Sequence, residues 1–344
     1  MAYEVTIGIP VYNVEKYMRL TMDSALAQTF ESIEFLVLDD CGTDSSMDIV
    51  REYQQQHPRG KDIRIVHQPQ NGGLGRARNR IIEEAQGKYL YHLDADDAIA
   101  PNTIELLYEN AKKFDADIVY GSYERIEEFD GTIKKTEYRY PAMQFLKEHE
   151  FADCVYSDYG FLQANTWNFL IKTDIYLKNN IRHYPVNFWE DFSTTIDLPT
   201  YITRAVLLPD VTYHYYCRYG SLSNFAKRDH VDKSEVQTTI DAMALVKQNS
   251  DRVKSKPYFH KRMYKVMMTH FYIACAILKT QKAITPSFTN SEIRDVMRSP
   301  LSFNETISLK GWKLKNLILY LLGVLPSSFS VTLIKIMGKH KGLI

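Results

Sequence analysis

The chain has 344 residues and 45% hydrophobic composition, enough to bury a substantial core in one large domain with an appendage, or in two domains. Its 42 basic and 42 acidic side chains give a net charge of zero, and the lack of a general basic field argues against a nucleic-acid partner. The four cysteines are widely spaced, and the first residues lead directly into a predicted strand, so we expect a cytoplasmic protein without a secretory signal.

The first third of the chain alternates between predicted strands and predicted helices. Aliphatic and β-branched runs predict buried strands, and apolar residues at helical spacing predict the helices between them. This alternation predicts a doubly wound, mostly parallel α/β sheet, and such sheets bind ligands outside the carboxyl ends of their strands. The predicted strands are 5–9, 33–38, 63–66, 89–93 and 117–121, and the predicted helices are 14–28, 47–53 with caps at 44–46, 75–85 and 101–114.

The regular alternation fades beyond about residue 124. This change predicts an α/β domain over 1–225 and a C-terminal helical region over 226–344. The elements predicted in this part are a polar hairpin at 134–140, a strand at 167–171, a helix at 188–196, a strand at 211–217, a loop at 218–223 and helices from 231 onward, including a long one over 264–278.

Three carboxylates end the fourth predicted strand, in the stretch Tyr89-Leu-Tyr-His-Leu-Asp94-Ala-Asp96-Asp97. Like charges raise one another's pKa unless a cation lies among them, and Mg²⁺ and Mn²⁺ favour carboxylate oxygens and accept phosphate ligands beside them. The stretch therefore predicts a metal–diphosphate site at the carboxyl end of a central strand. The alternative is a solvated turn in which Asp97 or Asn102 caps the helix that begins near Pro101.

Three earlier predicted strands also end in polar stretches. These stretches are Val5-Thr-Ile-Gly-Ile-Pro-Val-Tyr-Asn13, Leu38-Asp-Asp-Cys-Gly-Thr-Asp-Ser-Ser46 and Asn71-Gly-Gly-Leu-Gly-Arg-Ala-Arg-Asn79. With the acid cluster they resemble, in order and spacing, the signature blocks of family 2 glycosyltransferases over roughly the first third of the chain. The resemblance implies a GT-A fold and sugar transfer with inversion at the anomeric carbon. One departure is Cys41, which stands where many members have glycine.

The resemblance also implies a role for each block. Asp39 or Asp40 would accept a hydrogen bond from the uracil ring, and Arg78 would approach the base or the phosphates. One acid of the cluster would contact the ribose or a sugar hydroxyl, and Asp94 fits that contact and a turn-shaping role equally well. Asp96 would bind the metal, and Asp97 is the candidate to share it. The other residues expected at the nucleotide are Pro10, Tyr12, Asn13, Asn71 and Arg218.

Some of these residues have structural alternatives that stay open on the sequence alone. Asn71 also fits a turn, and Asp44 fits a helix cap better than a ligand position. Arg218 or His214 would reach the diphosphate when the loop at 218–223 closes over the donor, but His214 also fits a packed strand position.

The acid pair Glu190-Asp191 follows the block Asn187-Phe-Trp189. An inverting transfer needs one base that takes the proton from the acceptor hydroxyl as this hydroxyl attacks the anomeric carbon. Asp191 is our candidate for that base, and Glu190 is the less favoured one. The alternative is that both residues cap the helix that begins at Phe192.

The tail combines basic residues, a tryptophan and two apolar segments. Lysines surround Trp312, residues 317–325 are strongly apolar up to Pro326, and residues 331–337 are apolar again. This composition is typical of attachment to a membrane surface, and equally of a helical hairpin packed on the domain. No uninterrupted apolar stretch is long enough to predict a spanning helix.

The sequence therefore predicts a metal-dependent glycosyltransferase that uses Mn²⁺ or Mg²⁺ and a UDP-sugar donor. We expect a glycan or lipid-linked acceptor in cell-surface polysaccharide biosynthesis, at the inner face of the cell membrane. One alternative is a sugar nucleotidyltransferase, although Ile9-Pro-Val-Tyr12 lacks the Gly-rich phosphate loop usual for that chemistry. Another is a non-catalytic nucleotide-sugar or glycan-binding protein, against which the acids at both the metal and the base positions argue. A nicotinamide dehydrogenase is disfavoured because no G-x-G-x-x-G follows the first strand.

Overall fold

Ten strands form one mixed sheet in the computed structural model, which describes residues 3–129, 131–157, 162, 165–185, 190–218 and 230–344. Up to residue 217, the helices and strands are β1 (Tyr3–Val11), α1 (Glu15–Leu26), β2 (Ile33–Asp39), α2 (Ser46–Gln56), β3 (Ile63–His67), α3 (Leu74–Glu84), β4 (Gly87–His92), β5 (Ala98–Ile99), α4 (Thr103–Phe114), β6 (Ile118–Phe129), β7 (Thr132–Tyr138), β8 (Met143–Phe145), α5 (Glu150–Tyr156), β9 (Phe169–Lys172), α6 (Thr173–Lys178), α7 (Glu190–Asp197) and β10 (Ala205–Cys217).

The strand order places the predicted motif stretches at one edge of the sheet. The main path is β3-β2-β1-β4-β9-β6-β10-β5, with β7 paired to β6 and β8 paired to β10. The pairs β2–β3, β1–β2 and β1–β4 are parallel, whereas β9 is antiparallel to both of its neighbours. Because parallel strands end on the same side, the polar stretches that follow β1, β2, β3 and β4 meet at one edge.

Helices cover both faces of the sheet, as the alternating pattern predicts. On one face, alternate residues of β1 pack with buried residues of α1, α2 and α4 in one hydrophobic cluster. On the other face, α3 packs so closely on β1 that a Cβ on Gly8 would lie 2.3 Å from Cγ2 of Ile81. On that same face, the His92 ring of β4 packs edge-on against the Tyr176 ring of α6. The predicted fold class, a doubly wound mixed α/β sheet, is confirmed.

Several element bounds differ from the sequence prediction. The hairpin is present, but its first strand is the long β6 and its second is β7. Strand β10 begins at Ala205, six residues before the predicted 211, and runs past Pro209 with irregular register against β6. Helix α7 begins at Glu190, and the predicted start at 188 lies outside the described residues.

A second compact unit comprises Ala152–Leu162 and Leu222–Ile344, and the first comprises Met1–Phe151 and Gln163–Ser221. The domain bounds expected from the sequence, 1–225 and 226–344, stay a prediction, whereas the helical character of the C-terminal region is confirmed. None of the helices in the described ranges is both long enough and apolar enough to pass through a membrane. The elements of this unit are β11 (Val231–Asp232), α8 (Lys233–Asn249), α9 (Phe259–Thr280), β12 (Ile284–Thr285), α10 (Asn290–Val296), α11 (Phe303–Ile307), α12 (Lys313–Val324) and α13 (Ser327–His340).

A buried carboxylate, Glu34 of β2, ties the first four strands together. It is 1% exposed. Its Oε2 accepts hydrogen bonds from Thr6 Oγ1 at 2.6 Å and from the Gln86 backbone N–H at 2.9 Å. Its Oε1 accepts from Arg64 Nε at 2.7 Å. Since these donors lie on or next to β1, β3 and β4, this one side chain fixes the spacing of the strands whose ends form the site.

We expect Glu34→Ala to lower the free energy of unfolding by about 2 kcal/mol, because it removes the acceptor of the buried Thr6 hydroxyl and of the Gln86 N–H, while Arg64 keeps its pair with Glu84. Urea unfolding followed by circular dichroism measures this change. The matched control is Glu52→Ala on α2, which removes the exposed carboxylate that pairs with Arg19 and should leave the midpoint unchanged. An equal midpoint for Glu34→Ala and wild type would show that Glu34 contributes nothing to the sheet.

Candidate active site at the carboxyl end of strand β4

The three aspartates that follow β4 differ in their surroundings. Asp97 is 1% exposed, and its two oxygens accept hydrogen bonds from Tyr213 Oη at 2.8 Å and from the Tyr216 backbone N–H at 2.7 Å. Asp94 and Asp96 are only partly buried. The capping alternative for this turn is wrong, because Asp97 bonds to β10 and the Asn102 side chain makes no capping hydrogen bond to α4.

Burial and mutual repulsion both disfavour the charged forms of the buried acids in this cluster. Burial, followed by the neighbouring Asp94, raises the pKa of Asp96 to about 6. Burial, followed by Asp96 and Asp94, raises the pKa of Asp97 well above its usual range. Carboxylates in such surroundings favour any arrangement that brings positive charge among them.

Arg78 of α3 brings one such charge. Its side chain is 3% exposed, and its Nη2 lies 2.9 Å from Asp94 Oδ1. Two buried histidines lie close enough to feel its charge. Burial, followed by the Arg78 guanidinium, lowers the pKa of His92 to about 3 and lowers the pKa of His183 well below its usual value. Burial and the guanidinium charge therefore both favour the neutral form of these imidazoles.

Arg218 brings a second positive charge to the same turn. It follows β10 directly, and its Nη1 donates to the Asp96 carbonyl oxygen at 2.7 Å. Its guanidinium carbon lies 4.1 Å from the ring centroid of Tyr17 on α1 and 4.4 Å from that of Tyr216. His214, the other candidate for the diphosphate, lies 3.3 Å from Glu124 through Nδ1. The predicted loop beyond Arg218 lies outside the described residues.

At the end of β2, Asp40 and Asp39 have different partners. Asp40 is 3% exposed, and its two oxygens accept from the Gly72 and Gly73 backbone N–H groups at 2.8 and 2.9 Å. Asp40 therefore clamps the turn that leads into α3, where Gly73 has the positive φ of 76° that glycine tolerates best. Asp39 is less buried, and its Oδ2 lies 2.9 Å from His67 Nδ1.

The turn after Asp40 is held by hydrogen bonds to the side chains on either side of it. Cys41 adopts a left-handed conformation with φ of 61°, the region that glycine favours, and its N–H donates to Asp39 Oδ1 at 3.0 Å. Asn13, at the end of β1, is also left-handed, and its Oδ1 accepts from the Thr43 backbone N–H at 2.7 Å. Asp44 accepts from the first N–H of α1, at Glu15, and from Ser46, so it caps helices as expected.

The remaining predicted nucleotide residues lie at the same edge. Pro10 is buried near the end of β1, and Tyr12, which follows that strand, is 48% exposed. Asn71 donates through Nδ2 to the Asp40 carbonyl oxygen at 3.2 Å, as its turn alternative requires. The structure thus brings the residues expected at the nucleotide to one edge of the sheet.

Helix α7, which carries the candidate base Asp191, is connected to α3 through one short segment. Asn79 of α3 bonds to both backbone groups of His183, donating to the carbonyl oxygen at 2.8 Å and accepting from the N–H at 2.7 Å. His183 Nδ1 lies 3.2 Å from Thr194 Oγ1 of α7. A Cβ on Gly75 would lie 2.3 Å from the Tyr184 carbonyl oxygen, so the segment packs directly on α3. Helix α3 thereby positions both Asp94 and the helix of Asp191.

Three groups of this site were not found from the sequence. Tyr213 and Tyr216 hold Asp97, and Asn79 holds His183. The tyrosines lie in an aromatic run, Tyr213-His-Tyr-Tyr216, which the sequence indicates as a strand that leads into the family's Tyr-rich closing loop, without a role for either tyrosine. Asn79 is the last residue of a signature block, and a polar side chain on the inner face of a predicted helix was the signal available for it.

Comparison with known proteins agrees with the architecture and the motifs. A family model for glycosyl transferase family 2 matches residues 6–170. The chain is 30% identical over 233 residues to the glycosyltransferase GlyG of Streptococcus pneumoniae, covering 64% of this chain and 73% of GlyG.

Two solved structures share the fold. TarS of S. aureus, residues 1–349 in complex with UDP-GlcNAc, matches with a TM-score of 0.61 at 16% identity, over 93% of this chain and 90% of TarS. The mannosyltransferase PcManGT of Pyrobaculum calidifontis, in complex with GDP-Man and Mn²⁺, matches with a TM-score of 0.54 at 14% identity, over 97% of this chain and 87% of PcManGT. The chain therefore belongs to glycosyl transferase family 2 and is a glycosyltransferase with a GT-A fold.

Proposed function

We propose that the enzyme transfers a sugar from a UDP-sugar to a hydroxyl group of a glycan or lipid-linked acceptor, with inversion at the anomeric carbon. The observation that carries this proposal is the acid cluster at the end of β4, which Tyr213, Arg78 and Arg218 hold in place. It lies at the edge where β1 and β2 also end, the usual ligand position of such sheets. The nucleotide sugar bound to TarS supports a donor of this class.

The two carboxylates at the end of β2 take different parts in the proposed nucleotide site. Asp40 is buried beneath the amides of Gly72 and Gly73, whereas Asp39 is partly exposed at the edge of the sheet, so we assign the hydrogen bond from the uracil ring to Asp39. Val11 is the register partner of Asp39, which brings Tyr12 next to the same turn. The exposed ring of Tyr12 offers a face on which a base would stack.

The residues present fit a divalent cation that is shared with the donor. No three His, Cys, Asp or Glu side chains of the described ranges are arranged to hold an ion by themselves. Mg²⁺ and Mn²⁺ are commonly held by one or two carboxylates together with substrate phosphates, which matches a site built on Asp96. When bound, the ion would neutralise charge on the diphosphate leaving group. The Mn²⁺ bound to PcManGT supports this choice of metal.

The other two aspartates have different surroundings, and we assign them different roles. Asp97 gives both oxygens to Tyr213 and Tyr216, so we assign it to positioning the turn and not to sharing the metal as first expected. Asp94 Oδ1 is bound by Arg78, and we assign its second oxygen to a ribose or donor-sugar hydroxyl. We assign Arg218, which lies against the rings of Tyr17 and Tyr216 beside Asp96, to the diphosphate.

We assign the catalytic base to Asp191 in the first turn of α7. This residue is partly buried, and its helix is joined to α3 through His183 and Asn79. Arg78 of α3 also pairs with Asp94. Helix α3 therefore supports both the helix of the base and the donor site. A base in that position would remove the proton from the acceptor hydroxyl as it attacks the anomeric carbon.

We expect UDP to raise the melting temperature of the wild-type enzyme when Mn²⁺ is present, because a ligand that binds only the native state stabilises it. Asp96→Ala should abolish this metal-dependent shift in a thermal-shift assay. Asp48→Ala, which removes an exposed carboxylate on α2, serves as the control and should keep the shift. A shift of equal size without metal, or one seen with GDP and not UDP, would contradict the proposed site.

Asp191→Asn should keep the UDP shift and lower the transfer rate by about 10²-fold or more, because the amide cannot accept the acceptor's proton. The measurement is UDP release with the donor and acceptor both present. Asp174→Asn on α6, which changes a half-exposed carboxylate of the same unit, should transfer at the wild-type rate. A wild-type rate for Asp191→Asn would exclude Asp191 as the base.

Tyr213→Phe should lower the free energy of unfolding by about 1–3 kcal/mol and weaken the UDP shift, because it removes a hydrogen bond from a buried carboxylate. Tyr91→Phe is the matched control. It removes another buried hydroxyl from the same region, and that hydroxyl has no hydrogen-bond partner among the described residues. Equal losses in both variants would mean that the bond to Asp97 is not what supports the site.

A further inference from the structure

The outer face of α12 is apolar although it is exposed. Leu314 is 70% exposed, Ile318 41%, Leu321 38% and Val324 53%. Their spacing of four, three and three residues places them along one side of the helix. The opposite side, which includes Leu319 and Leu322, is buried in the unit. Helix α12 is therefore apolar on both sides, and only one side has a partner among the described residues.

Helix α13 has the same character. Phe329 is 55% exposed and Ile336 is 60% exposed, seven residues apart on one side, whereas Val331 and Ile334 are buried on the other. Ser330 Oγ donates to the Leu322 carbonyl oxygen, so α13 is fastened to α12. Of the fifteen large apolar residues that are exposed in the described part of the chain, eight lie between residues 303 and 336.

The charged side chains of the segment that carries this face have one sign. Residues 306–344 contain six lysines and no aspartate or glutamate. The exposed lysines of the segment are Lys310, Lys313, Lys335, Lys339 and Lys341. Since the whole chain has zero net charge, the positive charge of this segment is a local excess.

Trp312, which the sequence suggests as a membrane anchor, has a different place. Its ring packs on Tyr264 and His260 of α9 with centroid distances of 5.2 and 6.2 Å, and Lys315 lies 4.1 Å from its ring centroid. The tail is thus a helical hairpin packed on its own unit, as one of the two sequence alternatives holds. The packing covers only the inner side of the hairpin, so it does not exclude the other alternative.

We propose that the outer face of α12 and α13 docks on an anionic lipid bilayer, with both helices lying along its surface. Exposed aliphatic and aromatic side chains next to lysines are what such a surface binds, because the side chains enter the acyl boundary while the lysines meet anionic headgroups. A second copy of the chain is a poorer occupant, because a symmetric contact would bring the two sets of lysines together. This inference does not depend on the proposed donor or base.

Flotation of the full chain with lipid vesicles tests the proposal. We expect binding to vesicles of phosphatidylcholine with phosphatidylglycerol, and weaker binding to phosphatidylcholine alone. Phe329→Ser with Ile336→Ser should weaken binding to the anionic vesicles by about tenfold or more, because two exposed apolar side chains no longer enter the bilayer. Lys335→Glu with Lys339→Glu should weaken it as well, and added salt should reduce wild-type binding.

The matched control is Ile133→Ser with Leu177→Ser, which removes two exposed apolar residues of the other unit and should leave vesicle binding unchanged. Circular dichroism checks that each variant is folded. Failure of the wild type to float with anionic vesicles would overturn the proposal, and so would equal binding by the Phe329→Ser, Ile336→Ser variant. A wild-type dimer that this variant converts to a monomer, without vesicle binding, would assign the face to contact between copies. The assay contains no nucleotide sugar, so a negative result leaves the transferase proposal intact.

Discussion

Three carboxylates at the end of a buried strand repel one another, and much of the first unit is arranged to balance them. Tyr213 and Tyr216 of β10 satisfy Asp97, and Arg78 of α3 pairs with Asp94. These partners come from elements far apart in the sequence, and each must reach the same turn after β4. The acid cluster therefore constrains how α3 and β10 lie on the sheet, and the same constraint brings the two arginines to the proposed donor site.

The central strands and helices were predictable because their signals are local. The runs that form β1 to β3 are rich in aliphatic and β-branched residues, β4 sets Leu90 among aromatic residues, and a polar turn follows each, so both type and order could be read from the sequence. Strands β5 and β8 have two and three residues, which is too short for any periodicity. The start of β10 was missed because Pro209-Asp210 is typical of a turn, whereas in the structure the strand continues through it.

The sequence predicted which residues form the candidate site, but it did not predict the role of each residue. Acids at a strand end indicate a polar site wherever they occur, so Asp39, Asp40 and the acids after β4 could be named. Which of them bond to the protein depends on contacts such as that of Tyr213 with Asp97, 116 residues apart, for which the sequence has no local signal. The structure separates Asp40, which holds the turn before α3, from Asp39, which lies beside the exposed Tyr12.

The hydrogen bonds from β10 to Asp97 determine how much of the chain the acid cluster needs. The family model ends at residue 170, but the tyrosines that satisfy Asp97 lie beyond it, at 213 and 216. A fragment cut at the end of that model would keep every acid of the cluster and leave the most buried one without these donors. The acid cluster therefore needs a longer stretch of the chain than the family model covers, and β10 belongs inside that stretch.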